Sequence, residues 1–318
     1  HFERQGMVID TPPGLHHFRD PKVWREGNAW YMVVGARVDN TGQVRLYRSS
    51  DLRDWHDEGI LAEAEPGMGY MWECPDFFTL DGKRVLMFSP QGMAAEGYEK
   101  RNLFQSGYLL GEWQPGEAFV HNGQFIEMDS GHDFYAPHSF LSPDGRRIVM
   151  GWLAMWESPM PEQQDGWAGM LSLPRELSLD DNNRLLMKPA AEVTALRGSY
   201  FPVPAHCLTN QRLLVAADAD AVELCLEWDR IASPAEQFGI VMGNGLRIYV
   251  DNQSQRLVLE RSGPDCALTG TRSIALAEGD SLSLRIFIDR SSVEVFVNDG
   301  EACLSSRIYP QPGQRDIM

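Results

Sequence analysis

Residues 72–88 read WECPDFFTLDGKRVLMF and combine two apolar runs with a turn. The Asp-Gly pair between the runs is a strong signal for a β-hairpin. Glu73 stands beside Trp72 in an apolar surrounding, where poor solvation disfavours the ionised carboxyl group. A carboxyl group of this kind can donate a proton near neutral pH. The stretch therefore predicts a hairpin that carries a candidate general acid.

Two other stretches repeat this order of strand, turn and strand. Residues 19–34 read RDPKVWREGNAWYMVV, and residues 135–151 read YAPHSFLSPDGRRIVMG. The prolines of the three copies are 54 and 62 residues apart, at Pro21, Pro75 and Pro137. A period of about 50 residues with short antiparallel strands is typical of β-propeller blades. The repeat therefore predicts three blades.

The innermost strand of each blade lines the central channel of a propeller, so Asp20 and Glu73 are expected to face one pocket from neighbouring blades. Two carboxylates around one pocket are what glycoside hydrolysis requires. Propellers typically have about four or more blades. An open arc of three blades would leave strand edges unpaired. The sequence is therefore expected to be a fragment of a longer protein.

Composition excludes some other classes of function. The 318 residues carry a net charge of −17, which disfavours nucleic acid as a partner. The apolar runs are too short to span a membrane. The five cysteines are scattered and lack metal-ligand spacing. Buried free thiols in a reducing compartment are expected, which indicates the cytoplasm.

The last third of the chain changes character. Residues 183–189 are expected to form a closing strand, and residues 190–197 a linker with a short helical pattern. Alternating runs then predict a β-sandwich without a catalytic constellation. The predicted domains are thus a propeller over 1–197 and a sandwich over 198–318. Individual strands are expected within 44–47, 170–173, 222–228, 246–250, 282–288, 292–297 and 302–308.

The motifs resemble those of glycoside hydrolase family 32, the invertases and fructan hydrolases, and within it the bacterial sucrose-6-phosphate and sucrose hydrolases. Five motifs stand in family order along the whole chain: FRDP (18–21), WECPD (72–76), DFYAP (133–137), LPREL (173–177) and DRSSVEVFVNDG (289–300). The resemblance implies a five-bladed propeller followed by a β-sandwich. It also implies a retaining hydrolase of terminal β-D-fructofuranosides that needs no metal or cofactor.

The resemblance also implies roles for individual residues. Glu73 would be the general acid/base, and Asp20 would bind fructose hydroxyls and stabilise the transition state. Arg19 would orient Asp20 or contact a hydroxyl. The family's nucleophile is the Asp of an Asn-Asp-Pro-Asn-Gly motif, which this sequence lacks. The nucleophile is therefore expected outside this chain, and the chain alone is expected to be inactive.

Other acidic and aromatic residues are weaker candidates. Asp10, Asp76 and Asp133 do not stand in the nucleophile's motif, and Asp133 is expected to act only as a hydrogen-bonding support. Trp156 is a candidate ring for binding sugar. The aromatic residues expected to lie in the core instead are Trp72, Trp152 and Tyr135.

Several alternatives stay open at this point. The chain could be a non-catalytic fructoside-binding remnant, or belong to a fructan hydrolase or fructosyltransferase with similar site residues. Sucrose and sucrose-6-phosphate are not distinguished by these motifs. A substrate phosphate would require basic groups such as Arg37, Lys100 or Arg101.

Overall fold

The computed structural model describes residues 3–262, 269–277, 279 and 281–318, and its regular structure is almost entirely β. The chain forms two compact units. The first comprises the chain up to Ala94, Leu103–Glu127 and Ala136–Ser139. The second comprises Ala95–Asn102, Met128–Tyr135 and the described chain from Phe140 onward. The expected domain boundary at 197/198 stays a prediction. No described helix is long and apolar enough to cross a membrane.

The first unit contains two antiparallel sheets that confirm the first two predicted copies of the repeat. One sheet consists of β1 (His17–Glu26), β2 (Ala29–Val38), β3 (Thr41–Ser49) and β4 (Trp55–Glu63). The other consists of β5 (Met71–Leu80), β6 (Lys83–Gln91), β7 (Gly107–Glu112) and β8 (Val120–His121), and β9 (Ile126–Glu127) also pairs with β7. Each sheet has the up-and-down strand order of a propeller blade.

Trp72 lies at the centre of the core of the first unit. Its ring is fully buried, stacks on Phe88 at 4.0 Å between centroids, and donates from Nε1 to the carbonyl of Met68 at 2.8 Å. A Cβ atom at Gly35 would lie 2.2 Å from the Trp72 carbonyl oxygen, and one at Gly42 would lie 2.5 Å from the Trp72 ring. Glycine is therefore required at both positions for this packing.

A β-bulge interrupts the inner strand of each sheet of the first unit at the repeated proline. The register shifts between Arg19 and Lys22 in β1 and between Glu73 and Asp76 in β5. The residue before the proline has positive φ in all three copies of the repeat, at Asp20 (64°), Cys74 (49°) and Ala136 (50°). This conformation is uncommon for a non-glycine residue, and bulges re-aim side chains next to active sites.

The third copy forms a sheet of β10 (Tyr135–Leu141), β11 (Arg147–Trp152), β12 (Arg175–Leu179) and β13 (Leu185–Pro189). The closing strand near 183–189 is thereby confirmed. The strand predicted at 170–173 is wrong, because Leu171 forms only an isolated bridge with Trp152. The 3-10 helix Pro161–Asp165 lies between β11 and β12, and β12 is the third strand of this sheet. The short helical pattern after 190 is confirmed as the 3-10 helix Ala191–Leu196.

The rest of the second unit is a β-sandwich of two four-stranded antiparallel sheets, as predicted. One sheet has the order β14 (Val222–Asp229), β19 (Ser281–Asp289), β20 (Ser292–Val297) and β21 (Ala302–Arg307). The other has the order β15 (Gln237–Met242), β16 (Leu246–Asp251), β17 (Arg256–Arg261) and β18 (Gly270–Ala275). Alternate residues of β16 and β19 are buried in a shared apolar core, which fixes the register.

The cysteines follow the prediction of buried thiols only in part. Cys303 is buried and Cys74 is half-buried, and burial raises the pKa of each to about 12. The prediction is wrong for Cys207 and Cys225, which are exposed, because they lie in a surface segment and on the outer face of β14. Cys266 lies outside the described residues. The four described cysteines are free thiols.

Candidate active site

Glu73 and Arg19 form the centre of the candidate site. They occupy equivalent places in the repeat, two residues before the proline, on β5 and β1. Arg19 donates to Oε1 of Glu73 from both Nε (2.9 Å) and Nη2 (2.6 Å). The Glu73 side chain is 11% exposed, so its burial is confirmed, while that of Arg19 is 33% exposed. The sequence suggested that Arg19 orients Asp20 or contacts a substrate hydroxyl. In the structure its Nε and Nη2 donate to Glu73, and its role toward the substrate stays a prediction.

Asp20 lies beside this pair on β1. Its Oδ2 accepts the main-chain N–H of Cys74 at 3.1 Å and lies 3.9 Å from Nε of Arg19. Its side chain is 28% exposed, which leaves surface for a ligand hydroxyl. Desolvation, followed by the negative charges of Asp20 and Glu73, raises the pKa of the Cys74 thiol to about 12, so this thiol stays neutral at physiological pH.

A second ion pair lies one step further along the same two strands. Lys22 and Asp76 each follow the proline of their repeat, and Nζ of Lys22 lies 3.1 Å from Oδ2 of Asp76. Oδ2 of Asp76 also accepts from the main-chain N–H of Ser139 (2.7 Å) and from its hydroxyl (2.9 Å). Asp76 is only 1% exposed. Asp76 is therefore held between β1 and β10 by contacts to its Oδ2, and its exclusion as the attacking carboxylate stays a prediction.

An open pocket of about 280 Å³ adjoins the Arg19 side of the site and is lined by His16, His17, Arg37 and Asp39. Nδ1 of His17 lies 2.9 Å from Nη1 of Arg19, which joins this pocket to the Arg19–Glu73 pair. The guanidinium of Arg37 lies over the ring of Tyr70 at 4.7 Å. It also donates to the carbonyl of Asp39 (2.7 Å) and to Oδ1 of Asn40 (2.9 Å).

The remaining candidates have clear surroundings of their own. Trp72 and Tyr135 are buried, as expected of core residues. Trp156 belongs to the second unit, is 50% exposed and packs edge-on against Trp152 at 5.5 Å. Its role in sugar binding stays a prediction.

The other acidic candidates also have defined positions. Oδ2 of Asp133, in the second unit, accepts from Nη1 of Arg261 (2.5 Å) and from the main-chain N–H of Arg307 (2.8 Å). Asp10 lies in an exposed loop of the first unit. For the candidate basic groups of the second unit, Lys100 pairs with Glu96 at 3.1 Å and Arg101 is exposed.

Sequence reasoning missed Gln91, whose Nε2 donates to Oε2 of Glu73 at 2.8 Å. No motif pointed to it, although the hairpin offered a signal. Residue 91 follows the predicted return strand of the Glu73 hairpin, which brings it back to the start of β5. Extending the strand pairing past the predicted end would have placed it near Glu73.

The chain matches two family models over nearly its whole length. Residues 1–189 match the glycosyl hydrolases family 32 N-terminal domain, and residues 192–318 match the family's C-terminal domain. A sucrose-6-phosphate hydrolase of Escherichia coli is 55% identical over 100% of this chain. A raffinose invertase of Escherichia coli is 53% identical over 99% of it. The chain spans 66% of the length of each of these relatives.

Solved structures agree in fold. A β-fructofuranosidase of Bombyx mori, solved in complex with sucrose, has a TM-score of 0.83 and 32% identity, covering 99% of this chain and 65% of that one. A sucrose-6-phosphate hydrolase of Lactobacillus gasseri has a TM-score of 0.87 and 26% identity, covering 99% and 66%. These neighbours and the two family matches agree on blades of a β-propeller followed by a β-sandwich. The chain therefore belongs to glycoside hydrolase family 32.

Proposed function

We propose that the complete protein hydrolyses terminal β-D-fructofuranosides, sucrose or sucrose-6-phosphate, with retention of configuration, and that Glu73 is its general acid/base. The observation that carries this proposal is the buried Glu73 carboxyl group, held by Arg19 beside the partly exposed Asp20. The names of the relatives support the substrate class.

The chemistry follows from the arrangement. Glu73 donates its proton to the glycosidic oxygen while a carboxylate attacks the anomeric carbon and the C–O bond breaks. Glu73 then removes a proton from water, which releases fructose from the covalent intermediate. We assign the attacking carboxylate to no residue of this chain, because the chain lacks the Asn-Asp-Pro-Asn-Gly motif. The buried ion pairs of Asp76 and Asp133 and the exposed loop position of Asp10 support this assignment.

Asp20 has a different task in this proposal. Its exposed carboxylate surface can accept hydrogen bonds from fructose hydroxyls, which tighten as the sugar approaches its oxocarbenium-like transition state. Its other contact, the main-chain N–H of Cys74, fixes it to the strand that carries Glu73. Asp20 thus stabilises the transition state and does not transfer the proton.

The proposal is tested by measuring kcat/KM for sucrose with the complete protein and with Glu73→Gln and Asp20→Asn. Both variants are expected to lose on the order of a hundredfold or more while their thermal unfolding stays close to wild type. Near-wild-type rates in either variant would contradict its assigned role. Glu63→Gln is the matched control, because Glu63 is exposed and also accepts from a glutamine amide, that of Gln43.

The same assay separates the alternatives for substrate and reaction. Comparing kcat/KM for sucrose and sucrose-6-phosphate measures the preference for phosphate, and Arg37→Met tests the candidate phosphate-binding residue of the first unit, which lines the adjoining pocket. Products longer than the substrate would indicate fructosyl transfer. Binding of fructosides without any turnover would favour a non-catalytic protein.

We also propose the cytoplasm as the location of the protein. The described cysteines are free, and two of them are exposed. Exposed free thiols persist in reducing compartments, which supports this location. Fractionation of cells that produce the protein, with antibody detection, tests it.

A further inference from the structure

Gln91 occupies a defined place next to Glu73. It is the last residue of β6 and pairs with Met71 of β5, while Glu73 pairs with Ser89. Residues two apart on a strand share a face, so Glu73 and Gln91 are diagonal neighbours on one face of the hairpin. Their side chains meet at 2.8 Å, from Nε2 of Gln91 to Oε2 of Glu73.

The main chain around Gln91 is held tightly. Its carbonyl accepts the N–H of Tyr70 at 2.9 Å. A Cβ atom at Gly69 would lie 2.5 Å from that carbonyl oxygen, and one at Gly92 would lie 2.4 Å from the Tyr70 ring. Both glycines have positive φ. The amide of Gln91 therefore extends from a fixed point of the backbone.

The two oxygens of Glu73 have different surroundings. Oε1 receives both donors of Arg19, whereas Oε2 receives the neutral amide of Gln91. A guanidinium group can only donate and keeps its charge at every physiological pH. Oε1, which accepts both donors of Arg19, is therefore the oxygen without a proton, and the proton of the acid form belongs on Oε2.

We infer that Gln91 is a positioning residue that holds the proton-carrying oxygen of Glu73 in both states of the acid/base cycle; this inference rests on the proposed role of Glu73. With Glu73 ionised, the amide donates to Oε2. With Oε2 protonated, a half-turn of the amide lets its oxygen accept instead. When substrate is bound, the Oε2–H turns from the amide oxygen to the glycosidic oxygen and transfers its proton there, and a proton from water later returns to Oε2.

A neutral partner matters because Glu73 already has one cation. A second cation at position 91 would hold Glu73 ionised and oppose its role as an acid, and an anion there would hold it protonated. Other titratable or charged groups near the pair include Tyr70, with Arg37 over its ring, and residues of β1, β5 and β10: His17, Arg19, Asp20, Lys22, Cys74, Asp76 and His138. None of them changes in Gln91 variants, so opposite charges at position 91 isolate its effect.

The test is the pH profile of kcat/KM for sucrose in the complete protein with Gln91→Lys, Gln91→Glu and Gln91→Met. The alkaline limb reports the free enzyme's general acid. It is expected to move to lower pH in Gln91→Lys and to higher pH in Gln91→Glu. Gln91→Met is expected to lower kcat on the order of tenfold, with a smaller change in KM, because a hydrogen bond to a charged group is lost.

Gln43→Met is the matched control, since it removes the hydrogen bond from the Gln43 side-chain amide to Glu63 (2.6 Å) elsewhere in the same unit. It is expected to leave the profile unchanged. The inference is overturned if the alkaline limb of the pH profile coincides with that of the wild type in both charged variants. It is also overturned if the limb moves in the same direction in Gln91→Lys and Gln91→Glu. If one charged variant fails to fold, the other and the kcat effect of Gln91→Met still decide. Absence of sucrose hydrolysis by the wild type, or full activity of Glu73→Gln, would instead contradict the proposed function.

Discussion

Two arginine–carboxylate clusters, one in each compact unit, use the same chemistry in different surroundings. In the first unit, Arg19 holds Glu73, and their side chains are 33% and 11% exposed. In the second, Arg175 holds Asp129 at 2.9 Å and Glu294 at 2.7 Å, and no side chain of the three exceeds 5% exposure. The first cluster can meet a substrate, whereas the second is sealed within protein.

The sealed cluster connects two of the motifs that the site does not use. Arg175 belongs to the LPREL stretch on β12, and Glu294 belongs to the SVEVF stretch on β20. Nη2 of Arg175 also donates to the hydroxyl of Ser305 (2.6 Å), and its guanidinium lies over the ring of Phe134 at 4.5 Å. These motifs therefore join the third sheet to the sandwich within the second unit. Exposure, more than residue type, separates the structural cluster from the candidate catalytic one.

Arg175→Met gives the largest expected change in stability. It leaves Asp129 and Glu294 buried without their cation, which is expected to lower the free energy of unfolding by about 3–5 kcal/mol. Urea unfolding of the variant and the wild type measures the difference. Arg146→Met is the control, because Arg146 pairs with carboxylates at the surface and is expected to unfold almost as the wild type does. Equal free energies of unfolding for Arg175→Met and wild type would contradict a structural role for the buried cluster.

Arg19→Met is expected to have a small effect on stability and a large effect on activity. Its partly exposed ion pair is expected to contribute less than about 1 kcal/mol to stability. Loss of two hydrogen bonds to the Glu73 carboxylate is expected to lower kcat/KM for sucrose by about 10- to 100-fold. Arg19→Lys keeps the charge but not the two-donor geometry, so it is expected to recover only part of the activity. A large loss of stability in Arg19→Met together with unchanged kcat/KM would show that Arg19 has a structural role like that of Arg175.

The sequence predicted the local features of both clusters and missed their long-range partners. The hairpins around Glu73 and Asp20 were predictable because turn residues act over a few positions. The bulge at Cys74 was not, because the residue before proline normally avoids a helical conformation and prefers an extended one. In the structure Cys74 instead has a φ of 49° within the bulge.

Partner identity was the second gap. Arg19 and Glu73 are 54 residues apart, and Arg175 and Glu294 are 119 residues apart. Alternation of apolar residues predicts which strands exist, but it carries little information on which charged side chains meet across sheets. The family motifs contain Arg175 and Glu294, and the structure shows that these two side chains form an ion pair.

Glu223 in the sandwich is an intermediate case and gives the smallest expected effect. It accepts from Arg197 at 2.6 Å and from Arg285 at 2.5 Å, and its side chain is 13% exposed, while that of Arg197 is 50% exposed. The hydrogen bond from Arg197 outweighs the cost of burial and lowers the pKa of Glu223 from 4.5 to about 2. A lowered pKa stabilises the folded state above pH 4.5, and this contribution is lost as the pH falls toward 2.

Glu223→Gln is therefore expected to cost about 1 kcal/mol at pH 7, since the exposed partner is screened by solvent. The difference in free energy of unfolding between the variant and the wild type is expected to become smaller between pH 4.5 and pH 2. Urea unfolding at pH 7, 5 and 3 measures it, with Glu227→Gln on the exposed face of the same strand as the control. A gap at pH 3 as large as that at pH 7 would show that Glu223 acts through packing. In that case the contribution of an ion pair to stability would not increase with its burial from the Arg19–Glu73 cluster to the Arg175 cluster.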